Sequence, residues 1–69
     1  MKIILNGEDK NFENQSLTVL EMLNTLELPL EHIAVEINRN IIPKSQFFKT
    51  QLVEGDKIEI VRFVGGGLR

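Results

Sequence analysis

The chain has 69 residues, 42% of them hydrophobic and 26% charged, with no Cys, Trp or Tyr and a formal net charge of -2. That length holds one small domain, which buries only about 60% of the surface its unfolded chain exposes and draws roughly 3 to 5 kcal/mol from its core. The composition excludes a disulfide framework, a thiolate nucleophile and a cysteine metal site, and the single His32 cannot build a histidine-rich one.

The opening Lys2-Ile3-Ile4-Leu5 is β-branched and apolar and stops at Asn6-Gly7, a dipeptide whose tolerance of positive φ suits a tight hairpin turn. A weaker partner strand is expected over about Lys10 to Glu13, with Phe12 as its buried contact. From Ser16 the period changes. Val19, Leu20, Leu23 and Leu26 recur at helical spacing with Met22 beside them, which predicts an amphipathic helix from about Thr18 to Glu27. Thr18 and Glu21 form a capping box at its start, and Pro29 pushes the residue before it out of helical geometry at its end.

Ile33, Val35 and Ile37 then alternate with Ala34, Glu36 and Asn38, the period of a strand buried on one face. Asn38-Arg39-Asn40 supplies a turn, and Ile41-Ile42 a very short partner strand ended by Pro43. Lys44 to Thr50 reads as irregular chain or a single helical turn, with Phe47 or Phe48 tucked beneath it. Glu54-Gly55-Asp56 is a turn with solvated carboxylates, leading into the last strand, Lys57 to Val64. In that strand Ile58 and Ile60 share one face, while Glu59, Val61 and Phe63 share the other.

Hairpin, helix, short hairpin, loop and final strand make an α+β layer pair, one helix packed on a mixed sheet of four to five strands. The first and last strands can lie parallel in its centre, because the intervening segment supplies the crossover. That order is the β-grasp, or ubiquitin-like, arrangement. It divides the chain into a domain over residues 1–64 and a flexible glycine-rich tail over 65–69.

Few residues here offer chemistry. His32 has no triad partner in view, and the remaining candidates read as turn or core residues. The exception is Gly65-Gly66-Gly67. Three glycines cannot stabilise the end of a strand, since each loses the most backbone entropy on ordering and packs no side chain. They fit a frayed terminus or linker. They also fit a thin tail that enters a narrow channel and delivers a carboxyl group into another protein's active site. Basic residues are scattered along an acidic chain, against nucleic-acid binding. No apolar run approaches the roughly 18 residues of a membrane span, and the first residues lack the layout of a signal peptide. A cytoplasmic protein is expected.

The sequence resembles the ThiS family, the ubiquitin-like sulfur-carrier proteins of thiamin biosynthesis. The likeness rests on Ile3-Ile4-Leu5-Asn6-Gly7, Thr18-Val19-Leu20-Glu21-Met22-Leu23, Ala34-Val35-Glu36-Ile37-Asn38 and Ile42-Pro43-Lys44-Ser45. It continues through Glu54-Gly55-Asp56-Lys57-Ile58-Glu59-Ile60-Val61 to Phe63-Val64-Gly65-Gly66-Gly67. The resemblance implies a protein cosubstrate rather than an enzyme. An E1-like partner would use ATP and magnesium to adenylate the carboxyl of Gly67, in a sulfur-carrying terminus of Gly66 and Gly67 with Gly65 as the tail behind it. Sulfur from a cysteine desulfurase or other persulfide donor would then give a thiocarboxylate for thiazole synthase to consume. Neither ATP nor a metal would be held by this chain.

Such a carrier needs a docking surface. If Ile3, Leu5, Ile58 and Ile60 face the helix, the opposite face receives Ile4, Val61 and Phe63, bordered by Glu59, Arg62 and Lys2. The sequence departs from the family pattern at Leu68-Arg69, which follow Gly67 and keep its carboxyl in a peptide bond. A tail-trimming protease would have to expose Gly67. Related carriers for sulfur amino acids are trimmed in this way, so a carrier for that pathway or for molybdopterin is the first alternative. A ubiquitin-like binding module whose glycines form a linker is the second.

Overall fold

The computed structural model describes residues 1–63. Val64, the expected tail Gly65-Gly66-Gly67 and the trailing Leu68-Arg69 lie outside the described residues. Five strands, β1 (Lys2–Leu5), β2 (Glu8–Asn11), β3 (Ile33–Ile37), β4 (Asn40–Ile42) and β5 (Lys57–Arg62), form one sheet in the order β2-β1-β5-β3-β4. The pair β1 and β5 is parallel, with Ile4 opposite Lys57 and Leu5 opposite Ile58, and the other pairs are antiparallel. One helix, α1 (Val19–Thr25), lies between the hairpins in sequence, and a 3-10 turn spans Lys44–Gln46. This is the mixed sheet and single helix expected from the sequence.

The core is a set of apolar side chains closed between sheet and helix: Ile3, Val35 and Ile58 from the sheet, Val19, Met22 and Leu23 from α1. Leu17, Phe47 and Leu52 seal it from the loops. Leu20 and Leu26 are only partly buried, because Met22 rather than Leu20 takes the centre of the helical stripe.

Strand β4 begins at Asn40 rather than Ile41, because Asn40 pairs with Ile37, and three further boundaries differ from the sequence expectation. Strand β2 begins at Glu8 and is exposed throughout, since the Asn6-Gly7 turn brings Glu8 opposite Leu5. Phe12 follows that strand and is buried, its N–H donating to Met1 O at 2.8 Å. Helix α1 ends sooner than Pro29 requires. Glu27 adopts φ 60°, and Leu28 N–H turns back to Leu23 O at 3.0 Å, so a left-handed C-cap stops the helix. Strand β5 ends at Arg62.

The N-terminus of α1 shows how the long loop earns its place. Thr18 Oγ1 accepts from Glu21 N–H at 3.1 Å, and Glu21 Oε1 accepts from Thr18 N–H at 2.9 Å. The two preceding helical donors are satisfied from far along the chain: Val19 N–H donates to Thr50 O at 2.9 Å and Leu20 N–H to Phe47 O at 3.0 Å. That grip explains why Phe47 points inward while Phe48 stays 63% exposed.

The turn before β5 is pinned rather than solvated. Asp56 is buried, its Oδ2 accepting from Val53 N–H at 2.8 Å and its Oδ1 from Asn38 Nδ2 at 3.0 Å. Asn38 Oδ1 accepts in turn from Lys57 N–H at 3.0 Å. Glu54 Oε1 accepts from Lys2 N–H at 3.1 Å, and Gly55 N–H donates to Lys2 O at 2.8 Å, which docks the turn on β1. Solvated carboxylates were expected here, and Glu54 is exposed as expected while Asp56 is not. A left-handed Asn38, φ 51°, brings its amide over the turn and removes Asp56 from water.

Candidate functional site

Alternation along a strand and pairing across strands fix which residues share the sheet face turned away from α1. Ile4 opposes Lys57 on β5 and Asp9 on β2, so these three form one row. Glu59, Glu36 and Ile41 form the next, and Val61 with Ala34 the one above. Phe63 lies just past the strand, its N–H donating to His32 O at 2.9 Å and its ring meeting the His32 ring edge-on at 6.2 Å.

Val61 and Phe63 are 54% and 43% exposed and lie together at the end of β5 that leads, in sequence, into the glycines. Ile4 shares their face but not their neighbourhood. It is half-buried and sits opposite Lys57, four residues before Val61, which places it about 13 Å away along the strand at 3.3 Å per residue. Glu59 stands between them. Of the charges expected at the border, Glu59 adjoins Val61, Arg62 pairs with inward-facing Ile33, and Lys2 lies at the far end, 3.9 Å from Asp9.

The middle row is electrostatically uneven. Glu36 and Glu59 stand directly opposite each other, an arrangement that opposes pairing by a few tenths to about 1 kcal/mol. Arg39 and Lys57 line the same open groove with Asn38, so acidic and basic groups alternate across it. Ile41, 70% exposed, extends the face beyond Glu36. Sequence reading placed Ile41 only in a short strand. Its orientation was available from pairing parity, because Ile42 opposes inward-facing Val35 and its neighbour must therefore face out.

Two residues beside the end of β5 toward Phe63 carry no obvious sequence signal beyond their turns. Asn6, φ 49°, accepts Ile60 N–H on its Oδ1 at 2.8 Å, with its Nδ2 3.5 Å from Ile60 O. His32, φ 62°, holds Phe63 from the opposite side of β5. Among the described residues no group of three or more His, Asp or Glu side chains could hold a metal ion, and no helix is long and apolar enough to cross a membrane.

A β-grasp domain whose central strand leads in sequence into three glycines belongs to the ubiquitin-like class of proteins. Comparison with known proteins narrows this. The ThiS family model matches residues 3–67. The sulfur carrier protein ThiS of Bacillus subtilis is 38% identical over 63 residues, covering 91% of this chain and 96% of that one. A thiazole synthase of Paramagnetospirillum magneticum is 45% identical over 67 residues, covering 97% of this chain. The chain spans only 20% of that protein's length. The crystal structure of the thiamine biosynthesis protein ThiS from Geobacter metallireducens superposes with a TM-score of 0.86 at 32% identity, over 97% of this chain and 100% of that one. The chain belongs to the ThiS family, the small sulfur carriers of thiamin biosynthesis.

Proposed function

We propose that this chain carries sulfur as a thiocarboxylate on Gly67, delivered to a thiazole synthase. The observation that carries the reading is the family match, which runs through the whole domain and on to Gly67 while leaving Leu68-Arg69 outside it. A protease first hydrolyses the Gly67-Leu68 peptide bond, freeing the carboxylate. An E1-like activating enzyme then directs a carboxylate oxygen of Gly67 onto the α-phosphorus of ATP, and magnesium pyrophosphate leaves. A persulfide sulfur displaces AMP from the acyl carbon. A partner thiol cleaves the resulting acyl disulfide and leaves the thiocarboxylate on this chain.

The protein's own residues contribute binding and delivery. The chain has no cysteine, so every thiol step belongs to partners. Val61 and Phe63, exposed beside the strand end, give a partner an apolar foothold next to the tail, with Glu59 as a charged border. Ile4 lies too far along the sheet to join that foothold. Thiazole synthase is supported as the acceptor by relatives of that name in which a segment like this chain makes up a fifth of the protein. Those relatives favour thiamin over sulfur amino acids or molybdopterin.

Intact mass spectrometry of the untagged protein from its own cells tests the reading. The expected species ends at Gly67 and carries an oxygen-to-sulfur increment in part of the population. A chain that keeps Leu68-Arg69 and gains no sulfur after incubation with the activating enzyme, ATP and a persulfide donor overturns it.

A further inference from the structure

Backbone pairing between β1 and β5 covers Ile4 and Leu5 opposite Lys57 and Ile58, and there β1 turns away into Asn6-Gly7. Strand β5 runs on for four more residues, to Arg62. On the side that β1 has left, Asn6 takes over. Its backbone N–H donates to Ile58 O at 2.8 Å, and its side-chain amide then spans the next step, accepting from Ile60 N–H at 2.8 Å and lying 3.5 Å from Ile60 O. A side-chain amide has the same donor and acceptor pair as a peptide group, so Asn6 stands in for one further residue of strand. Ile60 and Arg62 have the same orientation by alternation, and no described residue bonds Arg62 on that side. Among the described residues, Asn6 is thus the last constraint on the β1 side of β5.

We propose that Asn6 is a positioning residue for the tail, fixing the direction in which β5 leaves the sheet. The inference rests on the carrier reading above. Its two demands on the residue are separable. The turn needs φ near 50°, which glycine meets as readily as asparagine, whereas the bridge to Ile60 needs the side-chain amide. Asn6→Gly therefore keeps the turn and removes the bridge. Asn6→Asp keeps the turn and the acceptor for Ile60 N–H.

The docking face of Val61 and Phe63 is intact in both variants, so binding of the carrier should persist while presentation of the tail suffers. Misplacement of a reacting group by about 1 Å can lower a rate by about 100-fold. The experiment is pyrophosphate exchange with ATP, catalysed by the activating enzyme, on chains trimmed to Gly67. For Asn6→Gly we expect kcat to fall by about tenfold with KM within about twofold of the unsubstituted chain, and Asn6→Asp to recover most of the loss. A purely structural role would instead lower the folded fraction and raise apparent KM. Unchanged kcat, or a change confined to KM, overturns the proposal.

A second readout needs no enzyme. Residual dipolar couplings of the amides of Ile60, Arg62 and Phe63 should shift in Asn6→Gly while those of β3 and α1 hold. Unchanged couplings overturn the positioning role. Absence of exchange with the unsubstituted trimmed chain overturns the carrier reading itself, and the couplings still decide the role of Asn6.

Discussion

Asn38 and Asp56 clasp one another across the turn that launches β5, Asn38 Nδ2 donating to Asp56 Oδ1 at 3.0 Å. Eighteen residues apart in sequence, they tie the β3–β4 hairpin to the start of the central strand. Asp56 is buried, whereas Asn38 and Val53 are exposed, so water can reach the donors left behind and each lost bond costs about 0.5 to 1.5 kcal/mol. Asp56→Ala removes the acceptor of both Val53 N–H and the Asn38 amide, so the expected loss is about 1 to 3 kcal/mol by urea unfolding. A loss below 0.5 kcal/mol would mean that water replaces the carboxylate.

At the helix start, Thr18→Ala removes the acceptor for Glu21 N–H but leaves the carbonyls of Thr50 and Phe47 on the next two donors. The expected cost is about 1 kcal/mol. Thermal unfolding followed by far-ultraviolet circular dichroism measures it. A loss several times larger would show that the loop grip depends on the cap.

Phe47 and Phe48 offer an internal contrast. Phe47 is 3% exposed and Phe48 63%. Phe47→Ala should cost about 3 to 5 kcal/mol, comparable with the whole stability of so small a core, and leave the chain largely unfolded. Phe48→Ala should stay within about 0.5 kcal/mol. Equal effects in denaturant titration would contradict the burial assigned to either ring.

On the outer face, Val61→Glu places a carboxylate next along the strand from Glu59, and Phe63→Glu places one beside His32, neither disturbing the core. Stability should change by less than about 1 kcal/mol. Affinity for the activating enzyme, measured by titration calorimetry, should fall by at least about tenfold, a change of 1.4 kcal/mol. The same substitution at Ile41 on β4 gives a comparison more distant from the tail. Unchanged affinity in the Val61 and Phe63 variants would move the docking surface elsewhere.

The sheet, the helix and their order were legible because their signals are local: alternation in Ile33 to Ile37, the capping box at Thr18 and Glu21, and the turn at Asn6-Gly7. What escaped was set by long-range partners. Asp56 looks like a solvated turn residue until Asn38 is folded onto it, and Phe47 is separated from Phe48 only by the carbonyl that reaches Leu20. The outward face was correctly divided by parity, yet parity says nothing of how far one strand slides along another. The register of β1 on β5 decides that Ile4 stands opposite Lys57 and away from Val61. The helix end was misjudged because a left-handed Glu27 has no sequence signature of the kind glycine supplies.

Strand β5 lies in the middle of the sheet, with β1 on one side and β3 on the other, and it is the element to which the glycines are joined. A pull on the tail along the strand is therefore met by bonds on both flanks acting together: the β3 ladder on one, β1 and Asn6 on the other. An edge strand such as β2 would peel away one bond at a time. On the carrier proposal, a tail drawn toward a partner would load the sheet through its central strand rather than through an edge.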